Sequence, residues 1–295
     1  MNNKFNWRSI LYLLLLAAAA ILIIAWWPEL SQLWREHLVT FAIVTILMAL
    51  GVVIQARNFL TFIPIKHNIG VRSLSRVWAI GALVNYLGPF QPGIAVRVAY
   101  LKKNEVPLGA SFLAIARQSI ISIWVSFAGI AFGAWLHGDA EIRNLAIISG
   151  VIFLLLPLFR NLIIKTLNIM TRPKLLLSKR ELIIGAISNA TSHGLWGVVA
   201  QYCIGAVLLF IVYNRFGANM DFGYALLMTC AIYISSLIAL APGNFGVMEA
   251  IYIIGGHQLG MSTEDAVALA FLLRGANIFS CFLISIFIFE KTKVV

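Results

Sequence analysis

Apolar residues fall in long blocks along this chain, at about 10–27, 38–56, 74–101, 108–136, 144–164, 182–213, 222–260 and 266–289. Apolar runs of roughly 18 or more residues are long enough to cross a hydrocarbon core about 30 Å thick as helices. The pattern therefore predicts an all-α polytopic integral membrane protein. Two blocks are interrupted. Block 74–101 breaks at 88–93, where Gly88, Pro89, Pro92 and Gly93 stand, and block 222–260 breaks at 242–246, at Pro242, Gly243 and Gly246. Irregular backbone inside a membrane needs protein or a water-filled cavity to satisfy its free N–H and C=O groups. The two breaks are therefore expected to face each other and build one polar site. Block 182–213 is long for a single span, so it is tilted or interrupted near Asn189–Gly194.

Composition agrees with that class. The 295 residues are 61% hydrophobic and 11% charged, with a mean hydropathy of +0.93, where a soluble protein carries about a quarter charged residues. No stretch is polar enough for a separate soluble domain. The net charge of +11 is spread in a way that argues against nucleic acid. Cys203, Cys230 and Cys281 sit inside apolar blocks without ligand spacing, so neither a disulfide framework nor a metal site is expected, and no cofactor. Lys4 and Arg8 precede a block that closes on Trp26-Trp27-Pro28. A signal peptide has a shorter apolar region and a small-residue cleavage site, so a retained first helix is expected.

The charges between blocks give the topology. One side carries sixteen basic residues, among them Lys4, Arg57, Arg72, Arg76, Lys102, Lys103 and Lys291, against Glu105, Glu181 and Glu290. The other carries Arg35, Arg143 and Arg215 against seven acids. The positive-inside rule puts both termini in the cytoplasm of an inner, cytoplasmic membrane. Block 74–101 then has both ends inside and block 222–260 both ends outside. Each reads as a broken re-entrant-type hairpin. Residues 1–137 and 138–295 form two halves of the same order and opposite orientation, an inverted-topology repeat. Such paired interruptions point to a transporter's substrate site.

Beyond the charges counted with the block ends, four fall within apolar blocks: Arg97, Arg117, Glu249 and Arg274. Each costs about 2.5–3.5 kcal/mol at mid-bilayer on insertion scales. Pairing Glu249 with one Arg holds the hairpins together and leaves positive charge over, which suits an anionic guest. Arg is fitted to phosphate by its planar two-donor fork. Helices starting after Gly93 and Gly246 are expected to add N–H donors, with Asn85, Gln91 and Asn244 beside them or satisfying the freed backbone. His193 shares a helix face with Asn189 and Trp196, as a proton relay or gate or as a hydrogen bond to a neighbouring helix. No hydrolase, zinc-protease or nucleotide-binding motif is present, and Glu249 is the one acid inside a block. No catalytic role is therefore expected, although glycosyl transfer using a loop acid such as Asp221 or Asp139 stays open.

These residues make the chain similar to the lysylphosphatidylglycerol synthase transmembrane-region family, the flippase-like domain proteins. The resemblance rests on Asn85, Pro89, Gly93 and Arg97, on Arg117, on Pro242, Gly243, Gly246 and Glu249, and on Arg274. Two positions depart from it: acids common in the family are replaced by Ile94 and Ala116. The resemblance implies movement of lipids between leaflets, and no aminoacyl-transferase domain is expected in this chain. The expected function is thus a flippase-like transporter for a phospholipid, an aminoacyl-phospholipid or a polyprenyl-phosphate-linked headgroup. A membrane-embedded glycosyltransferase or other lipid-modifying enzyme, and an accessory subunit of a lipid or glycan synthesis complex, are the alternatives. The expected partner is a membrane lipid with an anionic headgroup, with a homo-oligomer or a lipid-synthesis protein left open.

Overall fold

The computed structural model describes residues 27–63, 68–88, 91–139, 142, 144, 146–155, 192–238 and 242–287. The predicted first helix at 10–27, Asn189, Pro89, the His193 side chain and both chain ends lie outside these residues or their described side chains. The described residues are helical and contain no strand. In chain order the helices are α1 (Trp27–Phe62), α2 (Val71–Val84), α3 (Gly93–Lys103), α4 (Leu108–His137), α5 (Ala146–Leu155), α6 (Ser192–Arg215), α7 (Phe222–Ile238), α8 (Val247–Gln258) and α9 (Thr263–Phe287). The protein is a multi-pass membrane protein. Among the described residues four stretches are long and apolar enough to span: Glu36–Phe62, Leu108–His137, Gly194–Arg215 and Thr263–Phe287. α1 kinks at His37 (φ −111°, ψ 17°) just before its span begins.

The interrupted blocks behave differently. α2 has 14 residues, α3 11, α7 17 and α8 12. At about 1.5 Å per residue none reaches across roughly 30 Å of hydrocarbon alone. Each pair folds back on itself. In the first hairpin Gly81 meets Gly93 and Trp78 meets Arg97. In the second Met228 meets Gly255 and Tyr224 meets Gln258. Both registers run antiparallel, so each hairpin returns to the side it entered from. A single 3-10 turn forms part of each tip, Asn85–Leu87 in the first and Pro242–Asn244 in the second, and the two tips touch.

Close helix crossings are made through glycine. A Cβ on Gly93 would lie 2.0 Å from the Gly81 oxygen, so α2 and α3 pack backbone to backbone at the first tip. On α4, Gly129 and Gly133 lie four apart against α7. A Cβ on Gly133 would come 2.7 Å from the Gly223 oxygen, and one on Gly223 the same distance from the Gly133 oxygen. Small residues at this spacing let membrane helices approach closely. Because glycine is common along this chain, the sequence alone does not single out this pair.

The pattern of neighbours has an internal symmetry. α1 packs on α2 as α6 packs on α7; α3 packs on α4 as α8 packs on α9; α4 lies on α7 as α9 lies on α2; and α1 touches α9 as α6 touches α4. α1 and α6 pack on each other, as do the two tips. The α1–α4 contact lacks a counterpart of the same weight between α6 and α9.

Replacing Gly133 by Leu should force α4 and α7 apart and cost about 1–3 kcal/mol as overpacking does, read as a lower thermal midpoint in detergent. Gly109→Ala, where an added Cβ meets nothing within 4 Å, should leave that midpoint unchanged or slightly raised.

Candidate functional site

The two tips are tied by one guanidinium. Arg274 stands eleven residues into α9, about 16 Å from its start at the usual helical rise, which is close to the middle of the span. Its Nε donates to Glu249 Oε1 at 2.6 Å, and Nη2 pairs with the same oxygen. Its Nη1 donates to the Gly243 carbonyl at 2.9 Å and to the Tyr86 hydroxyl at 3.2 Å. The guanidinium also lies 5.3 Å from the Tyr86 ring centre and 5.1 Å from that of Phe245, within cation–π range. Tyr86 belongs to the first tip; Gly243 and Phe245 belong to the second. Tyr86 packs so closely over Gly243 that a Cβ there would approach its ring to 2.5 Å. Gly243 further needs its left-handed backbone (φ 58°), which favours glycine.

Glu249 serves two groups. One carboxylate oxygen takes Arg274, and the other accepts the Gly246 N–H at 2.8 Å, reaching back over the first turn of α8. Arg274 and the Glu249 side chain are both largely shielded, at 8% and 15% exposed. A buried charge pair of this kind stands because its geometry and extra hydrogen bonds offset its desolvation.

Around this knot each tip carries one polar residue with left-handed backbone, Gln91 (φ 53°) and Asn244 (φ 56°). Both reach the end of α7. Gln91 Nε2 donates to the Ser236 carbonyl, and Asn244 Nδ2 approaches Ser235 Oγ at 3.4 Å. Asn85 Oδ1 accepts the Gly93 N–H at 2.7 Å and so caps α3 across the break. Ile94 N–H goes to the Gln91 carbonyl and Ala95 N–H to that of Pro92. The sequence led us to expect donors for an anion at these helix starts. At the first tip the structure differs, because Gly93, Ile94 and Ala95 have their N–H groups satisfied within the chain; at the second, Glu249 takes the Gly246 N–H. Asn85 and Glu249 thus act first on the backbone.

Arg97 is placed otherwise. It lies four residues into α3 with its guanidinium stacked 3.8 Å over the Trp78 ring. Its Nε is buried without a hydrogen-bond partner, and no carboxylate pairs with it among the described residues. Arg117 stands apart from the knot: its Nη1 donates to the Phe62 carbonyl at 3.2 Å, at the C-terminus of α1, where a cation suits the helix dipole. Of the residues singled out from the sequence, the structure gathers Gly243, Glu249 and Arg274 at the knot. Asn85, Gln91, Gly93, Asn244 and Gly246 surround it, with Gly88 and Pro92 in the first tip. Arg97 stands beside it, and Arg117 lies elsewhere. Trp78, Tyr86, Ser235 and Ser236 were not foreseen. Only the general need of a buried Arg for an aromatic face or an acceptor pointed to such partners.

Asp221, weighed above as a loop acid, caps α7: its Oδ1 accepts the Tyr224 N–H at 2.9 Å, and its Oδ2 pairs with His137 at the end of α4. Partial burial pushes its carboxyl up, but the Tyr224 N–H and His137 outweigh that and hold it below the usual carboxylate value. Among the described residues no cluster of His, Cys, Asp and Glu is arranged to hold a metal.

Two outcomes follow from these contacts. Arg274→Gln should strand Glu249 and cost roughly 3–5 kcal/mol, the scale for breaking a buried pair, read as a loss of thermal midpoint. Arg274→Gln combined with Glu249→Gln should recover much of that loss. For Asp221 the folded-state value lies below the unfolded one of about 3.9. Its stabilising contribution is thus present above that pH and lost as pH falls through the folded value. The midpoint difference between wild type and Asp221→Asn, taken across a pH series, should shrink on acidification below about 4.

Searches among curated proteins and among solved structures return no match. The model of one family, described as the lysylphosphatidylglycerol synthase TM region, matches residues 9–285. That match spans nearly the whole sequence, both hairpins and all four intramembrane charges included, and the chain belongs to the lysylphosphatidylglycerol synthase transmembrane-region family.

Proposed function

We propose that this protein carries the phosphate-bearing headgroup of a membrane lipid between leaflets, along the seam where the two tips meet. Family membership supports a role in lipid handling. The observation that carries the finer reading is Arg97. The one acid of the knot, Glu249, is already neutralised by Arg274. Arg97 then remains as a cation within a hairpin arm, with a buried Nε lacking an acceptor and no paired carboxylate among the described residues. An uncompensated intramembrane charge is unfavourable, and a lipid phosphate supplies both the missing charge and the missing acceptors. The acyl chains would stay in lipid while the head passes.

We read residues 1–137 and 138–295 as an inverted repeat in the cytoplasmic membrane, with both termini inside. The symmetric pattern of helix neighbours supports this. Two hairpins entering from opposite faces, each too short to span, leave a headgroup a path that neither closes alone. Lipid modification remains the alternative; Asp221, committed to its cap and to His137, offers it little as a general base.

The test exploits a difference in sign. Arg97→Met keeps the packing on Trp78 and deletes the charge. A structural Arg would be missed, whereas a substrate-binding one leaves the folded protein as stable or more so, since burying an apolar group costs less than burying an unpaired ion. In proteoliposomes containing a headgroup-labelled phospholipid, Arg97→Met should slow translocation at least about tenfold, worth ~1.4 kcal/mol, with an equal or higher thermal midpoint. Transport at the wild-type rate would overturn the proposal.

A further inference from the structure

A cavity of about 230 Å³ lies between α1, α6, α7, α8 and α9. It adjoins the knot, because Ser236 lines it and gives its carbonyl to Gln91, and because Asn277 lines it and stands 3.5 Å from the Tyr86 hydroxyl that Arg274 holds. Its polar wall is made by Gln55, Gln201, Thr229, Tyr233 and Asn277, and none of its lining residues is charged. Gln201 is buried; its Nε2 donates to the Tyr233 hydroxyl at 3.0 Å, while its Oε1 has no partner among the described residues. Tyr233, accepting that bond, keeps a proton to donate. Gln55 makes no hydrogen bond within the described chain. This wall thus offers acceptors and donors side by side, with no fixed charge.

From this we infer that the group carried on the phosphate is an uncharged polyol, glycerol or a sugar, and not a cationic aminoacyl or amine headgroup. The inference rests on the phosphate reading above. A hydroxyl both donates and accepts, which matches a wall of amides and hydroxyls, whereas an ammonium only donates and brings a charge that needs a carboxylate. Glu249 follows the lining residue Met248 in sequence, and both its oxygens are engaged by Arg274 and the Gly246 N–H. The volume is below the roughly 300–1,000 Å³ of pockets for drug-sized ligands, which limits the guest to one small headgroup.

The full chain in nanodiscs, titrated with phosphatidylglycerol, lysylphosphatidylglycerol and phosphatidylethanolamine and read by native mass spectrometry, tests this. Phosphatidylglycerol should bind at least about tenfold more tightly than either amine-bearing lipid, because neither finds a counter-ion in the cavity. Gln55→Leu, at a side chain that holds nothing else together, should cut that preference at least about threefold without moving the thermal midpoint. Displacement of the lipid by water-soluble glycerol phosphate would assign the same polyol phosphate chemistry to a soluble ester; failure to displace would assign it to the lipid. Equal or tighter binding of lysylphosphatidylglycerol that still depends on Arg97 would overturn the inference and leave the phosphate reading standing. Binding of all three lipids unaffected by Arg97→Met would overturn both.

Discussion

A peptide chain that stops being helical inside a membrane leaves donors and acceptors that lipid cannot satisfy. This protein does so twice, and a single guanidinium answers much of the demand from both places. Arg274 donates to the Gly243 carbonyl in one tip and to the Tyr86 hydroxyl in the other, while Glu249 balances its charge and holds the Gly246 N–H. Three elements distant in sequence are thereby fixed at one depth. The close glycine contacts follow from the same constraint. Gly243 lets Tyr86 reach the knot, and Gly93 lets α3 lie on α2 so that Asn85 can cap it.

How far the sequence discloses this arrangement depends on which interactions are local. Pro and Gly in an apolar run mark a break wherever they fall. That is a property of neighbouring residues, visible in the bare chain. That Glu249 pairs with an Arg is nearly as legible, since it is the one acid among four intramembrane charges; that the partner is Arg274 and not Arg97 emerges only from the fold. Depth and rotation are not legible in this way. Arg117 lies in an apolar block, yet its position on α4 puts it level with the end of α1, where it meets the Phe62 carbonyl. Tyr86 and Trp78 read as ordinary membrane aromatics until the fold brings Arg274 and Arg97 against them. Ser235 and Ser236 become notable only once Asn244 and Gln91 reach them across the gap between tips.

The departures at Ile94 and Ala116 take on physical meaning beside these contacts. An acid following Gly93 would stand three residues before Arg97 on α3, close enough on a helix to pair with it. With Ile94 there, Arg97 has an aromatic face beneath it and no carboxylate among the described residues. The loss at Ala116 matters less, because Arg117 has found the end of a helix instead. The two arginines that lack their expected acids are therefore not equivalent. One is absorbed into the scaffold, and the other keeps a charge that the scaffold does not neutralise.

That distinction bears on what kind of site this is. A binding site made wholly of satisfied groups has no reason to prefer an anion over water, whereas a site with one unmatched cation does. The ion-paired knot and Arg97, which has no carboxylate among the described residues, then differ in charge balance. Arg274 and Glu249 tie the two tips together, and Arg97, on the arm of only one hairpin, has an aromatic face and no counter-charge among the described residues. In the carrier we propose, an anion moving past Arg97 would compensate its charge for as long as the two are close, and the cost of the bare charge would return when it leaves. A carrier needs that asymmetry, since a guest bound by fully preorganised partners of both signs would be held rather than passed on.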